Sequence, residues 1–337
     1  MVAEVTEAKE WLSGKLPLGR VTSVFFGGGT PSLLPLPELN AAFEALSSHF
    51  AIDADTEITV EANPETVTDE WCRGIVDSTP VNRVSLGAQS FQPKYLAALE
   101  RMATPESVRT AVQRLRRAGI SDLNLDLIFA IPGQTQAEAF ADIDAALALE
   151  PDHLSFYNLS LKPGHALYSE LPSDDAAADL YEAGVARLAE NGFAQYEISN
   201  FSRPGRRSQH NLLYWTGGDY LGLGPSAASR FFWDGNFHHR KALADFSKYV
   251  ESAPYPGNTL ESNSWADTRL EATFLELRLN DGIDLPRFTQ RYGHDVTQSK
   301  NYSLFLREGL LERAGQILKL TSRGRLLADR VTRDLVD

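Results

Sequence analysis

The feature that most constrains this chain is a rhythm that runs through its first two-thirds, where short strand-like segments alternate with longer helix-like ones. Strand candidates are β-branched or aromatic and stop at turn chemistry: 21–26 before a Gly triplet, 57–60 before Ala-Asn-Pro, 83–86 before Gly, 123–129 before Pro-Gly, and 153–158. A weaker sixth candidate covers 195–198. Helical patterns fill the intervals at 36–50, 69–77, 105–118, 136–149 and 174–191. Thr104-Pro105-Glu106 supplies a cap residue, a first-turn Pro and an acid, while Arg116, Arg117 and Gly119 close that helix. Such alternation predicts parallel strands joined by right-handed crossovers, and hence an α/β fold. Five or six units read as a (β/α) barrel or part of one, with a doubly wound open sheet as the competing architecture.

After about Asp234 the rhythm changes. Residues 252–264 are rich in Pro, Gly, Ser and Asn and read as a loop or linker. Beyond them, 265–278 and 286–292 read as helices, 304–308 leads to 310–312, and 316–320 reads as a strand. Residues 321–336 close as an amphipathic helix capped by Thr321. Helix, helix, short strands and helix make a small domain of winged-helix type. The expected division is therefore 1–234 and 235–337.

Composition excludes several classes. With 43% hydrophobic residues among 337, the chain can bury a sizeable core. Apolar runs such as Val24-Phe25-Phe26 fall far short of the ~18 residues of a membrane span, so no integral membrane protein is expected. Residues 1–12 lack a basic flank followed by a hydrophobic block, so no secretory signal is visible and a cytoplasmic protein is expected. The formal net charge of −13 argues against a nucleic-acid partner. One cysteine, Cys72, rules out an internal disulfide or a Cys-ligated metal site built by this chain alone.

In an alternating α/β chain, chemistry belongs where strands end. The first strand runs into Gly27-Gly28-Gly29-Thr30-Pro31, where unshielded backbone lets a ligand's charged ends approach. It has neither the Gly-Lys-Ser/Thr of a P-loop nor the spacing of a dinucleotide turn. Glu61 follows the second strand, and Gln89 follows the third with Arg101 twelve residues on. Asp126 lies inside the apolar frame Leu-Asn-Leu-Asp-Leu, where a carboxylate is costly unless paired. Together these groups suit a zwitterionic, hydroxyl-bearing small molecule.

The strings GGGTPS, EANPE, SLGAQSF, LNLDLIFAIPGQT and HLSFYNLSLKPGHALY, in this order, resemble the radical S-adenosylmethionine family. Within it they are similar to the oxygen-independent coproporphyrinogen dehydrogenases and the related haem chaperones. The resemblance runs from about Val21 to the C-terminus. It implies a partial (β/α)6 TIM-like barrel, here lacking its first strand, followed by a winged-helix-like C-terminal domain. It also implies an S-adenosylmethionine pocket. Gly28, Gly29 and Thr30 would meet the methionine end, and Glu61, Gln89, Arg101 and Asp126 would line the rest.

One departure stands out. The family's first strand ends in a Cys-x3-Cys-x2-Cys loop that holds a [4Fe–4S] cluster, and the 26 residues before the Gly triplet contain no cysteine. Cys72 reads as an ordinary semi-buried thiol on a polar helix. As written, the chain cannot reduce S-adenosylmethionine. Either the native protein carries an upstream cysteine segment, or this is a cluster-free relative. The first is the expectation, because 5–16 reads as the helix after a missing first strand, and a barrel without that strand would expose an unpaired edge.

His210-Asn211-Leu212-Leu213-Tyr214-Trp215 matches the H-N-x-x-Y-W signature of the haem chaperones, which the dehydrogenases lack. By residue type alone, His210 and Asn211 read as a turn cap and Tyr214 and Trp215 as core. The match makes His210 the axial ligand for haem iron and Tyr214, at i+4, its neighbour on one helix face. Arg203, Arg206 and Arg207 form a basic cluster suited to propionates. The resemblance thus implies a non-catalytic chaperone on a radical-SAM scaffold. It would bind haem and deliver it to haem-requiring respiratory proteins, with homodimerisation among the expectations. The rival is the porphyrin-decarboxylating dehydrogenase. His238 and His239 fall in 233–240, which reads as a polar loop, His153 and His165 flank a strand and a turn, and His49 and His294 read as surface positions.

Overall fold

A computed structural model describes residues 2–251, 255 and 260–336. The chain divides into two compact units, one of Ser23–Asn40 and Asp55–Ser208, the other of Met1–Thr22, Ala41–Ala54 and Gln209–Asp337.

The first unit is built on a seven-stranded sheet. Its strands are β1 (Ser23–Phe26), β2 (Glu57–Ala62), β3 (Arg83–Gln89), β4 (Asp122–Phe129), β5 (His153–Asn158), β6 (Ala194–Glu197) and β7 (Asn200–Ser202), in the order β1-β2-β3-β4-β5-β7-β6. Neighbours from β1 to β5 pair in parallel. Between them run helices Leu36–His49, Asp69–Ser78, Pro105–Ala118 and Gln136–Leu147, and Asp174–Glu190 follows β5. This is the curled parallel sheet of a partial (β/α) barrel, and the open-sheet alternative falls. The capping reading at Thr104 holds as a full capping box with Ser107, and Gly119 closes that helix in the left-handed region.

Strands β2–β5 alternate over most of their length. Ile58 and Val60, Val84 and Leu86, Leu123, Leu125 and Leu127, and Leu154 and Phe156 are buried apolar residues on one side. The other side carries Thr59 and Glu61, Ser85 and Gly87, Asn124 and Asp126, and His153 and Ser155. Parallel strands usually read as continuous apolar runs because both faces are covered. Here one face packs on helices and the other is a polar lumen.

Strict alternation ends after β5. The next strand in the sheet is β7, antiparallel to β5, and β6 pairs antiparallel with β7. The weak candidate at 195–198 is thus β6, one half of a tight hairpin, and β7 lies where no strand is predicted.

The second unit contains the helix Val2–Ser13, the helix Gln209–Trp215 and two small sheets. One sheet is β8 (Ala228–Trp233), β9 (Asn236–Lys241) and β10 (Leu260–Ser262), all antiparallel. Residues 233–240, read as a polar loop, are therefore mostly hairpin. His238 is buried, stacks on Trp233 at 3.7 Å and bonds Ser262 Oγ at 2.7 Å, and His239 meets Glu271 at 2.9 Å. Charged and aromatic side chains on a short hairpin look like a loop until the partner strand is known. Of the linker read at 252–264, residues 252–254 and 256–259 lie outside the described residues, and 260–262 form β10.

The C-terminal part follows the winged-helix pattern. The helix Trp265–Leu277, β11 (Ile283–Asp284), the helices Leu285–Tyr292 and Tyr302–Arg307, and the hairpin β12 (Leu311–Ala314) with β13 (Ile317–Leu320) lead to two closing helices. The single helix read at 321–336 is two, Ser322–Leu326 capped by Thr321 and Ala328–Val336. His49 and His294, read as surface positions, are half-buried.

Candidate functional site

At the C-terminal ends of β1–β4 the first unit has a polar cleft of about 200 Å³, lined by Gly29, Thr30, Glu61, Asn63, Ser85, Gly87, Gln89, Arg101 and Asp126 among others. Six of the seven residues read from the sequence as pocket residues line it: Gly29, Thr30, Glu61, Gln89, Arg101 and Asp126. The seventh, Gly28, joins through its backbone, its N–H donating to Glu61 Oε2 at 3.1 Å. Gly28 and Gly29 have φ of +82° and +66°, a conformation that costs side-chain-bearing residues energy and that glycine adopts freely. That conformation turns the chain back across the end of β2.

Gln89 also has positive φ, at +63°, and it lies at an irregularity in the β3–β4 register. A bulge of this kind re-aims a side chain. The Gln89 amide swings over Gly87, where an added Cβ would lie 2.8 Å from its Nε2. Asn63 donates to Thr30 Oγ1 at 3.2 Å and so ties the glycine loop to the turn after β2.

Two carboxylates face this cleft. Burial pushes Glu61 above the usual carboxylate range, with the Gly28 N–H opposing the rise and the nearby Asp126 charge adding to it. Burial likewise raises Asp126, against hydrogen bonds that favour its ionised form. Asp126 Oδ1 accepts from Asn124 Nδ2 at 2.8 Å, and Oδ2 accepts from Ser85 Oγ at 3.3 Å. Two carboxylates, an exposed Arg101 and the Gln89 amide make a site for a ligand carrying both charges and several hydroxyls. Asn63, Ser85 and Gly87 are not singled out by the sequence reading. The two-residue period along β3, which places Ser85, Gly87 and Gln89 on one face, is the signal that marks the last two.

In the second unit, His210 and Tyr214 share one face of the helix Gln209–Trp215. Their ring centroids are 4.6 Å apart and Tyr214 Oη is 2.9 Å from His210 Nε2. Burial pushes the Tyr214 hydroxyl up to about 12, so at neutral pH it keeps its proton. Arginines missed by the sequence reading hold the end of this helix. Arg230, 3% exposed and paired with Glu271 at 3.2 Å, donates to the Tyr214 and Gly218 carbonyls, each at 3.1 Å. Arg291 donates to the Thr216 and Gly217 carbonyls at 3.2 and 2.7 Å, and Arg278 lies over the Trp215 ring at 4.4 Å. Cations at a helix C-terminus satisfy carbonyls that have no partner within the helix. All three come from distant sequence, so no local signal announces them.

Arg203 donates to the Pro151 carbonyl at 3.1 Å, and Arg206 lies 3.8 Å from both Asp122 and Asp152. Both of these propionate candidates are thus engaged with groups of their own unit. Cys72 is fully buried rather than semi-buried, and burial raises its thiol to about 11, so it is an inert core residue. Among the described residues no group of three or more His, Cys, Asp and Glu side chains is arranged to hold a metal ion, and no helix is long and apolar enough to cross a membrane.

Comparison with known proteins agrees with this architecture. The sequence pattern of the Radical SAM superfamily matches residues 4–146, and that of the HemN C-terminal domain matches 266–327. A protein of Mycobacterium tuberculosis named "Heme chaperone HemW" is 35% identical over 338 residues, covering 97% of this chain and 84% of that one. A Lactococcus lactis protein of the same name is 33% identical over 307 residues, covering 85% and 78%. Among solved structures, the coproporphyrinogen III oxidase of Escherichia coli superposes with a TM-score of 0.80 at 21% identity, covering 99% of this chain and 81% of that one. That last likeness is one of fold.

Proposed function

The chain belongs to the HemW family of haem chaperones, and from that premise we propose that it binds haem with His210 as the iron ligand and Tyr214 beside it. On this reading it passes the haem to haem-requiring respiratory proteins in the cytoplasm. The observation that carries the proposal is the helix Gln209–Trp215. Its His210 and Tyr214 share one half-buried face, and Arg230 and Arg291 fix its backbone from outside the helix. An imidazole on a held helix beside a flat aromatic is a suitable donor set for porphyrin iron.

The cleft of the first unit is proposed to hold S-adenosylmethionine, and its residues fit that group. Glu61 and Asp126 suit an ammonium or ribose hydroxyls, Arg101 a carboxylate, and Gln89 either a donor or an acceptor. The Gly28-Gly29-Thr30 turn would meet the methionine end. When bound, S-adenosylmethionine supplies a sulfonium centre. The residues present do not fit a Cys-ligated iron–sulfur cluster, because Cys72 is the only cysteine in the sequence and its protonated thiol is buried.

The work divides along the chain in this proposal. Residues 1–234 carry the barrel strands, although 1–22, 41–54 and 209–234 belong to the compact unit of the C-terminal residues, and 235–337 carry the linker and winged-helix-like domain, which contributes Arg278 and Arg291 behind the haem helix. The matches at 4–146 and 266–327 support this assignment.

The test is a haemin titration followed by Soret absorbance, with His210→Ala in parallel. A saturable spectral shift that disappears in the variant is the expected result. Equal weak binding by both proteins would leave the His210 segment as core packing and sink the proposal.

A further inference from the structure

Beneath the cleft, the polar lumen contains a chain of hydrogen bonds whose direction can be worked out atom by atom. Asn124 Nδ2 lies 2.8 Å from both Asp126 Oδ1 and Ser85 Oγ. Turning that amide over would set a carbonyl oxygen against a carboxylate, so the orientation is fixed. Asn124 Oδ1 must then accept, and it faces His153 Nδ1 at 2.6 Å and Ser155 Oγ at 3.2 Å. His153 Nδ1 therefore carries the proton. Its Nε2, 2.8 Å from Tyr196 Oη, is the acceptor, and Tyr196 donates.

Every donor in the series points the same way: Tyr196 to His153, His153 to Asn124, Asn124 to Asp126 and Ser85, and Ser85 to Asp126. The links rest on register. Asn124 pairs with Ser85 on β3 and with His153 on β5, so all three stand at one level of the lumen, and Asp126 lies one step nearer the cleft. His153 is 1% exposed and Tyr196 fully buried, so neither can touch a ligand in the cleft. Burial beside Arg83 holds the imidazole neutral, as this direction requires.

We propose that His153 is a positioning residue for the cleft, orienting the Asp126 carboxylate through Asn124 toward a ligand group that is cationic or hydroxyl-bearing. The proposal rests on the reading of the cleft as a ligand site. It assigns a task to a histidine that otherwise looks like core. The relay favours the ionised form of Asp126 against the effect of its burial, and it denies Asn124 the alternative orientation that would repel the carboxylate. Without His153 the Asn124 carbonyl keeps only the longer Ser155 donor, and the amide is free to turn.

Two readouts test this on the full chain. The first is calorimetric titration with S-adenosylmethionine across pH for the native protein, Tyr196→Phe, His153→Phe and His153→Gln. The second is carboxyl ¹³C NMR of Asp126 in the same proteins. Loss of the neutral hydrogen bond from His153 to Asn124, one link behind Asp126, predicts up to roughly tenfold weaker binding in His153→Phe. Fewer donors disfavour the carboxylate, so Asp126 should titrate at higher pH and the acid limb of binding should move up with it. Gln retains a donor and should restore part of the affinity, a result that a purely space-filling role would not give. Tyr196→Phe removes one hydroxyl and preserves packing, so it serves if His153→Phe fails to fold.

If the native protein does not bind S-adenosylmethionine, the cofactor reading falls, and the relay is then judged by the Asp126 titration alone. An Asp126 midpoint unmoved in the folded variants overturns the relay whatever the ligand does.

Discussion

Tyr214 Oη lies 2.9 Å from His210 Nε2, and the tyrosine's raised pKa keeps the hydroxyl protonated, so in the tautomer with its proton on Nδ1 the Nε2 lone pair accepts from that hydroxyl. Uptake through Nε2 must displace that donor. Tyr214→Phe is expected to bind haemin faster while keeping the stoichiometry of the native protein, as read by stopped-flow Soret absorbance. An unchanged or slower association rate would mean that the hydroxyl does not guard the nitrogen.

Arg230 bridges the end of this helix to Glu271 from a buried position. Arg230→Ala leaves the Glu271 carboxylate with His239 and Asn263 as its partners among the described residues and removes the donor that Arg230 gives two carbonyls. Breaking a buried pair from one side costs about 3–5 kcal/mol. Urea denaturation should show a loss of that order. Arg230→Lys should fail to recover it, because an ammonium cannot span a carboxylate and two carbonyls in the guanidinium geometry. Full recovery by Lys would reduce the role of Arg230 to a point charge.

Gln89 combines a strained backbone with a place in the cleft. A side chain in the left-handed region costs roughly 1–2 kcal/mol, which Gly escapes. Gln89→Gly should therefore raise the melting temperature while weakening S-adenosylmethionine binding. A variant that is both less stable and weaker in binding would show that the bulge is held by the side chain and not for it.

Glu276 is fully buried, with Arg287 at 2.5 Å from Oε2 and no hydrogen-bond partner at Oε1. Burial raises its pKa from 4.5 to about 7, against the pull of Arg287 and Arg291. A raised folded-state value means that its contribution to stability is complete below pH 4.5 and is lost as pH rises to about 7. The whole effect is about 3 kcal/mol at ~1.4 kcal/mol per pH unit. Compared with the native protein, Glu276→Gln should gain stability steadily from pH 5 to pH 7 and level off by pH 8. A difference in melting temperature that stays constant across that range would refute the assignment.

Local signals reach a long way in this chain. The first five strands lie where β-branched and aromatic residues stop at turn chemistry, and the helix from Pro105 begins and ends at its caps, because both patterns depend on neighbours in sequence. The pocket set was legible for the same reason: Gly29, Glu61, Gln89 and Asp126 each stand at or near a strand end, and strand ends of a parallel sheet converge. The i, i+4 spacing of His210 and Tyr214 likewise foretold their contact.

What the tertiary structure decided lies where partners come from far away. The β6–β7 hairpin, the pairing of β8 with β9 that buries His238, and the bulge that turns Gln89 over Gly87 depend on register between strands. No window of sequence contains that register. The arginines behind Tyr214, and the relay that joins Tyr196 to Asp126 across three strands, belong to the same class. A buried charge or imidazole is tolerated only when its partners are in place, and those partners meet only after the sheet has closed.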